Sequence, residues 1–431
     1  MSDTNYQATW QAGMIDPLNK GLGNLPHALP PTAGNTVHWN LLLEDISLPA
    51  AVLYEERLAH NLAWMQAFVG EYQVKLAPHG KTTMAPKLFA RQLAAGAWGI
   101  TLATAHQTQV AYAHGVRRVL MANQLVGKQN MATISRLLED PDFEFFCLVD
   151  SADIVEQLGA WFSARKQQLN VLLELGPVGG RTGVRNAEQQ AAVLAAIKRW
   201  QGSIALSGIE VYEGVLKEEA DIRQFLQRAV QCAKELAQQG YLQHRSAQKP
   251  AVLTGAGSAW YDVVAEEFAG VEIGVPLDIV LRPGCYLTHD VGIYRAAQEQ
   301  ILTRNPVAKK MRSELLPALQ LWAYVQSIPE TDKAIIALGK RDAAFDAGLP
   351  LPVQRFRPGH DSAPAAVPAH WEISGMMDQH AYLKIAAGDD IRVGDMIAFD
   401  ISHPCLTFDK WRHLPVLNAQ FDVIDIVQTF F

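Results

Sequence analysis

Lys81 stands in Leu76-Ala77-Pro78-His79-Gly80-Lys81-Thr82-Thr83-Met84, where an apolar run gives way to Pro, His, Gly, Lys and two hydroxyls. The end of a strand is where α/β enzymes gather their chemistry. An amine there is either a solvated side chain or one that condenses with an aldehyde cofactor. His79, two residues earlier, is the accompanying acid–base candidate.

Further segments share this form. Arg181 follows Leu173-Glu174-Leu175 within Gly179-Gly180-Arg181-Thr182-Gly183-Val184, where glycines let the backbone approach a flat ligand and a guanidinium can face a ring nitrogen or an anion. Tyr212 closes Gly208-Ile209-Glu210-Val211-Tyr212 and could stack on such a ring. Thr254-Gly255-Ala256-Gly257-Ser258 ends a strand and opens a helix, so free amides and two hydroxyls could nest a phosphate. Leu281-Arg282-Pro283-Gly284-Cys285-Tyr286 offers Tyr286 as a side wall and Cys285 as a buried, inert thiol. In the C-terminal half, Ser402-His403-Pro404-Cys405 ends a strand. If extended, it points His403 and Cys405 the same way as half of a zinc site, to which His380 could add.

The elements that must carry these residues are legible as patterns. Short apolar runs at 74–77, 99–103, 116–122, 143–149, 171–175, 206–212 and 251–254 alternate with amphipathic stretches near 85–95, 106–114, 130–139, 152–166, 187–200 and 217–239. Continuous apolar strands between helices predict a parallel sheet covered on its outer face, here a (β/α)₈ TIM-like barrel over residues 46–295. An open doubly wound sheet is the rival, without a GxGxxG signature. Residues 1–45 read as an irregular arm, broken at Pro30-Pro31, that Trp10 and Trp39 could anchor. Residues 296–431 read as a mostly β domain, with strands expected at 319–328, 334–338, 371–374, 381–385 and 396–401 and a surface loop at 357–369.

Composition bounds the function. The 431 residues, 49% hydrophobic, support a large core in two domains, and a net charge of −7 without a basic run disfavours nucleic acid. Four scattered cysteines form no disulfide framework. With no secretory leader read at the start and no long apolar run, the expectation is a cytoplasmic chain without a membrane span.

Taken together, the segments resemble the alanine racemase-type barrel enzymes that use pyridoxal phosphate, in the branch of D-threonine aldolase and D-serine dehydratase. The family's Arg-Pro-His-x-Lys-Thr-His-Lys run is matched by Ala77-Pro78-His79-Gly80-Lys81-Thr82-Thr83-Met84, keeping Pro, His, Lys and Thr. His403 and Cys405 are similar to the dehydratase metal pair rather than to the His-x-Asp pair of the aldolases. The resemblance implies pyridoxal phosphate on Lys81, contacts from Arg181, Tyr212, Thr254, Gly255, Gly257, Ser258 and Tyr286, and a divalent metal, zinc, on His403 and Cys405. It also implies a homodimer. Its implied reaction is dehydration and deamination of a β-hydroxy D-amino acid, D-serine-like, to a 2-oxo acid and ammonia. Retro-aldol cleavage to glycine and an aldehyde is the alternative, and a non-enzymatic carrier of pyridoxal phosphate is the alternative of another class.

Overall fold

The computed structural model describes residues 14–25, 27–30 and 37–431, so Trp10 and Pro31 lie outside the described residues. After the arm come β1 (Ala50–Tyr54) and α1 (Glu55–Glu71). The strands β2 (Lys75–Leu76), β3 (Ile100–Leu102), β4 (Arg118–Gln124), β5 (Glu144–Val149), β6 (Leu169–Leu175), β7 (Ile204–Val211), β8 (Ala251–Gly255) and β9 (Leu277–Leu281) then alternate with helices. The helices are α2 (Pro86–Ala94), α3 (Ala105–Ala113), α4 (Lys128–Leu137), α5 (Ala152–Ser163), α6 (Ala187–Arg199), α7 (Glu219–Gln238) and α8 (Tyr261–Phe268). Side-chain caps begin three of them: Thr104, Ser151 and Asn186 each accept from the amide three residues on.

These eight strands form one parallel sheet in the order β2-β9-β8-β7-β6-β5-β4-β3. Its two ends meet. Trp98 N donates to Leu76 O at 2.7 Å and Thr101 N to Pro78 O at 2.8 Å, with His79 bridged to Thr101. The seam therefore lies just before Lys81. Inside the ring, Ala77, Leu120, Phe146, Leu148, Leu172, Val252 and Val280 form a separate apolar plug. Strand β9, absent from the strands expected above, is the eighth strand of the ring, with Asp278, Val280 and Leu281 buried and Leu277 and Ile279 half-buried.

Two helices, α9 (Ile293–Arg304) and α10 (Pro306–Met311), lead to the second sheet. It comprises β10 (Leu319–Glu330), β11 (Lys333–Ile336), β12 (Leu351–Phe356), β13 (Ala365–Ala366), β14 (Glu372–Met376), β15 (Ala381–Lys384), β16 (Met396–Asp400), β17 (His413–Leu417) and β18 (Val423–Gln428). The short helix α11 (Cys405–Phe408) follows β16. Strand β1 also belongs here, between β10 and β17. The arm joins the same core: Ile15, Leu22, Leu41 and Ile46 are buried with Trp322 and Phe356, and Trp39 packs against them. Within the expected loop at 357–369, Ala365 and Ala366 pair with β12.

Candidate functional site

Side chains from both sheets surround a cavity of about 320 Å³ at the C-terminal mouth of the ring. Lys81 stands in it from a single 3₁₀ turn, Gly80–Thr82, that follows the seam. Gly80 has no room for a Cβ, which would fall 2.8 Å from both Ile100 and Phe89. Downstream, Phe430 N donates to Met84 O at 2.9 Å, so the C-terminal tail holds the far side of the turn.

His79 lines the same cavity, while its Nδ1 is shielded and makes no hydrogen bond within the protein. Burial first, then the positive charges of Arg282, Lys81 and Arg181, hold its pKa well below 6.5, which keeps the imidazole neutral. Gly284, after β9, presses on this segment. A Cβ there would come 2.6 Å from His79 Cβ and 2.8 Å from Thr82 Oγ1.

The floor is built by strand ends. Arg282 and Glu210 form an ion pair only 1% and 2% exposed, in which Arg282 Nε and Nη1 and Glu210 Oε2 have no further partner. Arg181 stacks its guanidinium 4.6 Å over the Tyr212 ring. Ser258 Oγ accepts from Gly284 N at 3.2 Å and Cys285 N at 3.1 Å. The amides of Ala256 and Gly257 are not free for an outside anion, because both donate to the Glu213 carboxylate.

The second sheet supplies the remaining corner. His403 Nδ1 bonds Asp346 Oδ2 at 2.7 Å and the ring also bonds Cys405. The two meet through a turn rather than an extended segment. Pro404 has φ −61° and ψ −46°, and Cys405 opens α11, because proline's fixed φ suits a helix start. Cys405 Sγ lies 3.8 Å from Cys285 Sγ and 3.6 Å from Thr82 Oγ1. Hydrogen bonds shared with Cys285, His403 and Thr82 hold its pKa below the usual thiol value despite burial. The His403 imidazole is raised to about 9, chiefly by Cys405.

Lys81, His79, Arg181, Tyr212, Gly257, Ser258, His403 and Cys405 are thus brought to one cavity. Thr254, Gly255, Tyr286 and His380 are not part of its lining. Thr254 Oγ1 donates to Val280 O within the sheet, and a Cβ on Gly255 would meet Val264 and Phe268 of α8. Tyr286 is 2% exposed and receives a bond from Gln92 of α2, while His380 is exposed on the turn between β14 and β15. Sequence reasoning missed Asn123, Glu210, Arg282 and Tyr294, which also line the cavity. For Arg282 a signal existed, a basic residue directly after an apolar strand; for Tyr294, in the first turn of α9, none did.

Pyridoxal phosphate fits this donor set. An amine, two guanidiniums and hydroxyls face one another across a space sized for a small planar ligand, and the buried unpaired N–H groups of Arg282 await an acceptor. His403 and Cys405 suit a divalent metal in kind, since the carboxylate of Asp346 orients the imidazole as in many metal centres. They bring two donors only: among the described residues no group of three His, Cys, Asp or Glu side chains is arranged to hold an ion. No helix among the described residues is long and apolar enough to cross a membrane.

Comparison with known proteins gives two family matches, the alanine racemase N-terminal domain over residues 54–274 and a putative serine dehydratase domain over residues 318–417. D-threonine aldolase of Arthrobacter sp is 26% identical over 310 residues, 72% of this chain and 76% of that one. D-threo-3-hydroxyaspartate dehydratase of Delftia sp. (strain HT23) is 27% identical over 247 residues, 56% of this chain and 64% of its own length. The structure of D-threonine aldolase from Filomicrobium marinum superposes with a TM-score of 0.72 at 20% identity, covering 90% of this chain and 96% of that one. Two variants of D-threo-3-hydroxyaspartate dehydratase superpose at 0.68, a His-to-Ala mutant and, two positions on, a Cys-to-Ala mutant in the metal-free form. With a racemase-type domain matched over half its length, the chain belongs to the alanine racemase-like, fold-type III family of pyridoxal-phosphate enzymes, related to the D-serine dehydratase, D-threonine aldolase and D-threo-3-hydroxyaspartate dehydratase branch.

Proposed function

We propose that this enzyme is a lyase that cleaves the Cα–Cβ bond of β-hydroxy D-amino acids, giving glycine and an aldehyde. Lys81 holds the cofactor, and His403 with Cys405 holds a divalent metal, zinc by its preference for nitrogen and thiolate. Bound there, pyridoxal phosphate supplies the electron sink for negative charge at the substrate's Cα. The metal supplies Lewis-acid stabilisation at the β-oxygen.

The observation that carries the reading is His79 lining the cavity two residues from Lys81 with an unpartnered ring nitrogen. Burial and the neighbouring cations keep that imidazole neutral and a weak base, so it would take the β-hydroxyl proton that retro-aldol cleavage requires once a metal acidifies the hydroxyl. Elimination needs the opposite at that oxygen, a donor that helps hydroxide leave. The Lys81 amine, which would hold the cofactor, is also the group in the cavity that would return a proton to Cα after cleavage. Arg181 and Tyr212 form one wall, and Ser258 and Arg282 provide donors for the cofactor's anionic and ring-nitrogen atoms. The aldolase relative aligned over the larger share of the chain supports this order of preference over elimination, the leading expectation from the residues alone.

Elimination to a 2-oxo acid and ammonia is the second reading, favoured by the serine dehydratase match and by a His-x-Cys spacing equal to that of the two dehydratase variants. That Cys-to-Ala variant, in its metal-free form, also supports Cys405 as a metal ligand. A homodimer is part of the proposal and is checked by the mass in solution.

D-threonine, D-serine and D-threo-3-hydroxyaspartate, each tried with and without a chelator, decide between the readings. Glycine plus acetaldehyde from D-threonine, lost on chelation, is the expected result. A 2-oxo acid with ammonia from any of the three would replace cleavage by elimination, and no product from any would return the carrier alternative.

A further inference from the structure

We infer that Glu213 is a positioning residue for the cofactor end of the cavity, its carboxylate occupying the two amides that a phosphate would otherwise take. Glu213 directly follows Tyr212 at the end of β7 and is completely buried. Its Oε1 accepts from Gly257 N at 2.8 Å and its Oε2 from Ala256 N at 3.1 Å. Ala256 is held at φ +85°, a left-handed conformation that strains any residue with a Cβ. Two hydrogen bonds to consecutive amides offset such strain, and with Arg282 they counter the burial that raises the carboxyl's pKa.

What this contact fixes is the next residue. Ser258 lines the cavity with an Oγ that already accepts twice, from Gly284 N and Cys285 N, so its hydroxyl hydrogen is left for an anion in the cavity. Gly284 in turn lies against His79 and Thr82 on either side of Lys81. One buried carboxylate thus heads a line of contacts from β7 through the ends of β8 and β9 to the lysine turn. A carboxylate kept out of water is costly unless its oxygens are matched, and here each oxygen meets one amide of the turn. Glutamine, of equal size, matches only one amide and sets its own N–H₂ against the other.

The inference rests on the cofactor assignment above, so the test separates the two. Cofactor-stripped wild type, E213Q and E213A are titrated with pyridoxal phosphate, following the visible absorbance of the bound form. Hydrogen exchange at the Ala256 and Gly257 amides is measured in the same cofactor-free proteins. Expected are slow exchange at both amides in wild type, faster exchange in E213Q, affinity weakened roughly tenfold or more, and partial recovery of E213A by added formate. Unchanged affinity in the variants would overturn the inference. So would tighter affinity, which would make the carboxylate a competitor of the phosphate. Fast exchange in wild type would overturn it even if neither variant folds. If wild type takes up no cofactor at all, the functional reading falls, and the exchange data still judge Glu213.

Discussion

At the scale of single residues, environment decides chemistry more than identity does. Lys81 is one of several lysines, set apart by standing beside two guanidiniums and a neutral imidazole in one cavity. Lys81→Ala should abolish the visible absorbance of bound cofactor and all turnover, measured by spectrum and product assay. His79→Asn keeps a polar group but removes the base. It should lower kcat by roughly 10²–10⁴-fold with a smaller change in KM, as loss of a general base does. The residues legible in the sequence were those whose neighbours announce a strand end: Lys81 after Leu76-Ala77-Pro78, Ser258 after a glycine turn. The side to which each points was not legible. Thr254 and Tyr286 sit in equally suggestive runs, yet one bonds across the sheet by its register in β8 and the other, in the turn after β9, packs under α2, and composition sets neither placement.

At the scale of elements, the close passage of the β9 loop over the lysine turn is the constraint most open to test. Gly284→Ala should destabilise the fold by about 1–3 kcal/mol, the usual range for overpacking, and should also weaken cofactor binding because His79 and Thr82 must move. Thermal melts with and without cofactor would show both. Five residues on, His289 is 4% exposed with φ +48°, and burial followed by Arg295 lowers its pKa from 6.5 to about 4. The folded state resists protonation that the unfolded chain accepts. The stability from this group is present above pH 6.5 and is lost as pH falls toward 4. His289→Asn, which also tolerates a left-handed backbone, should therefore show a shallower fall of Tm between pH 6.5 and 4 than wild type. The alternation of helix and strand in the barrel was readable because each strand is a continuous apolar run. The eighth strand was not, since Asp278 interrupts the apolar run of Leu277–Leu281.

At the scale of the whole molecule, the arm and the second sheet act as one body. Ile15 and Leu22 are 2% and 3% exposed, and Lys20 bonds Asp342 at 2.6 Å. Deleting residues 1–25 should remove about 1.5–3 kcal/mol for each of those two apolar side chains, lowering Tm while leaving the cofactor-binding ring formed. Calorimetry alongside a cofactor titration checks both halves of that outcome. Sequence alone could not assign the arm, because its partners, Trp322 and Phe356, lie near the other end of the chain and no local period points to them. The same separation governs β1, whose Ala50 pairs with Trp322 and whose Leu53 pairs with Val416. During synthesis at ordinary speeds this five-residue apolar strand waits about 15–55 s for its first neighbour to emerge from the ribosome. Meanwhile every strand of the ring has been made. The nascent protein can therefore close its barrel around the lysine turn well before His403 and Cys405 exist, with both edges of β1 open to chaperones throughout that interval.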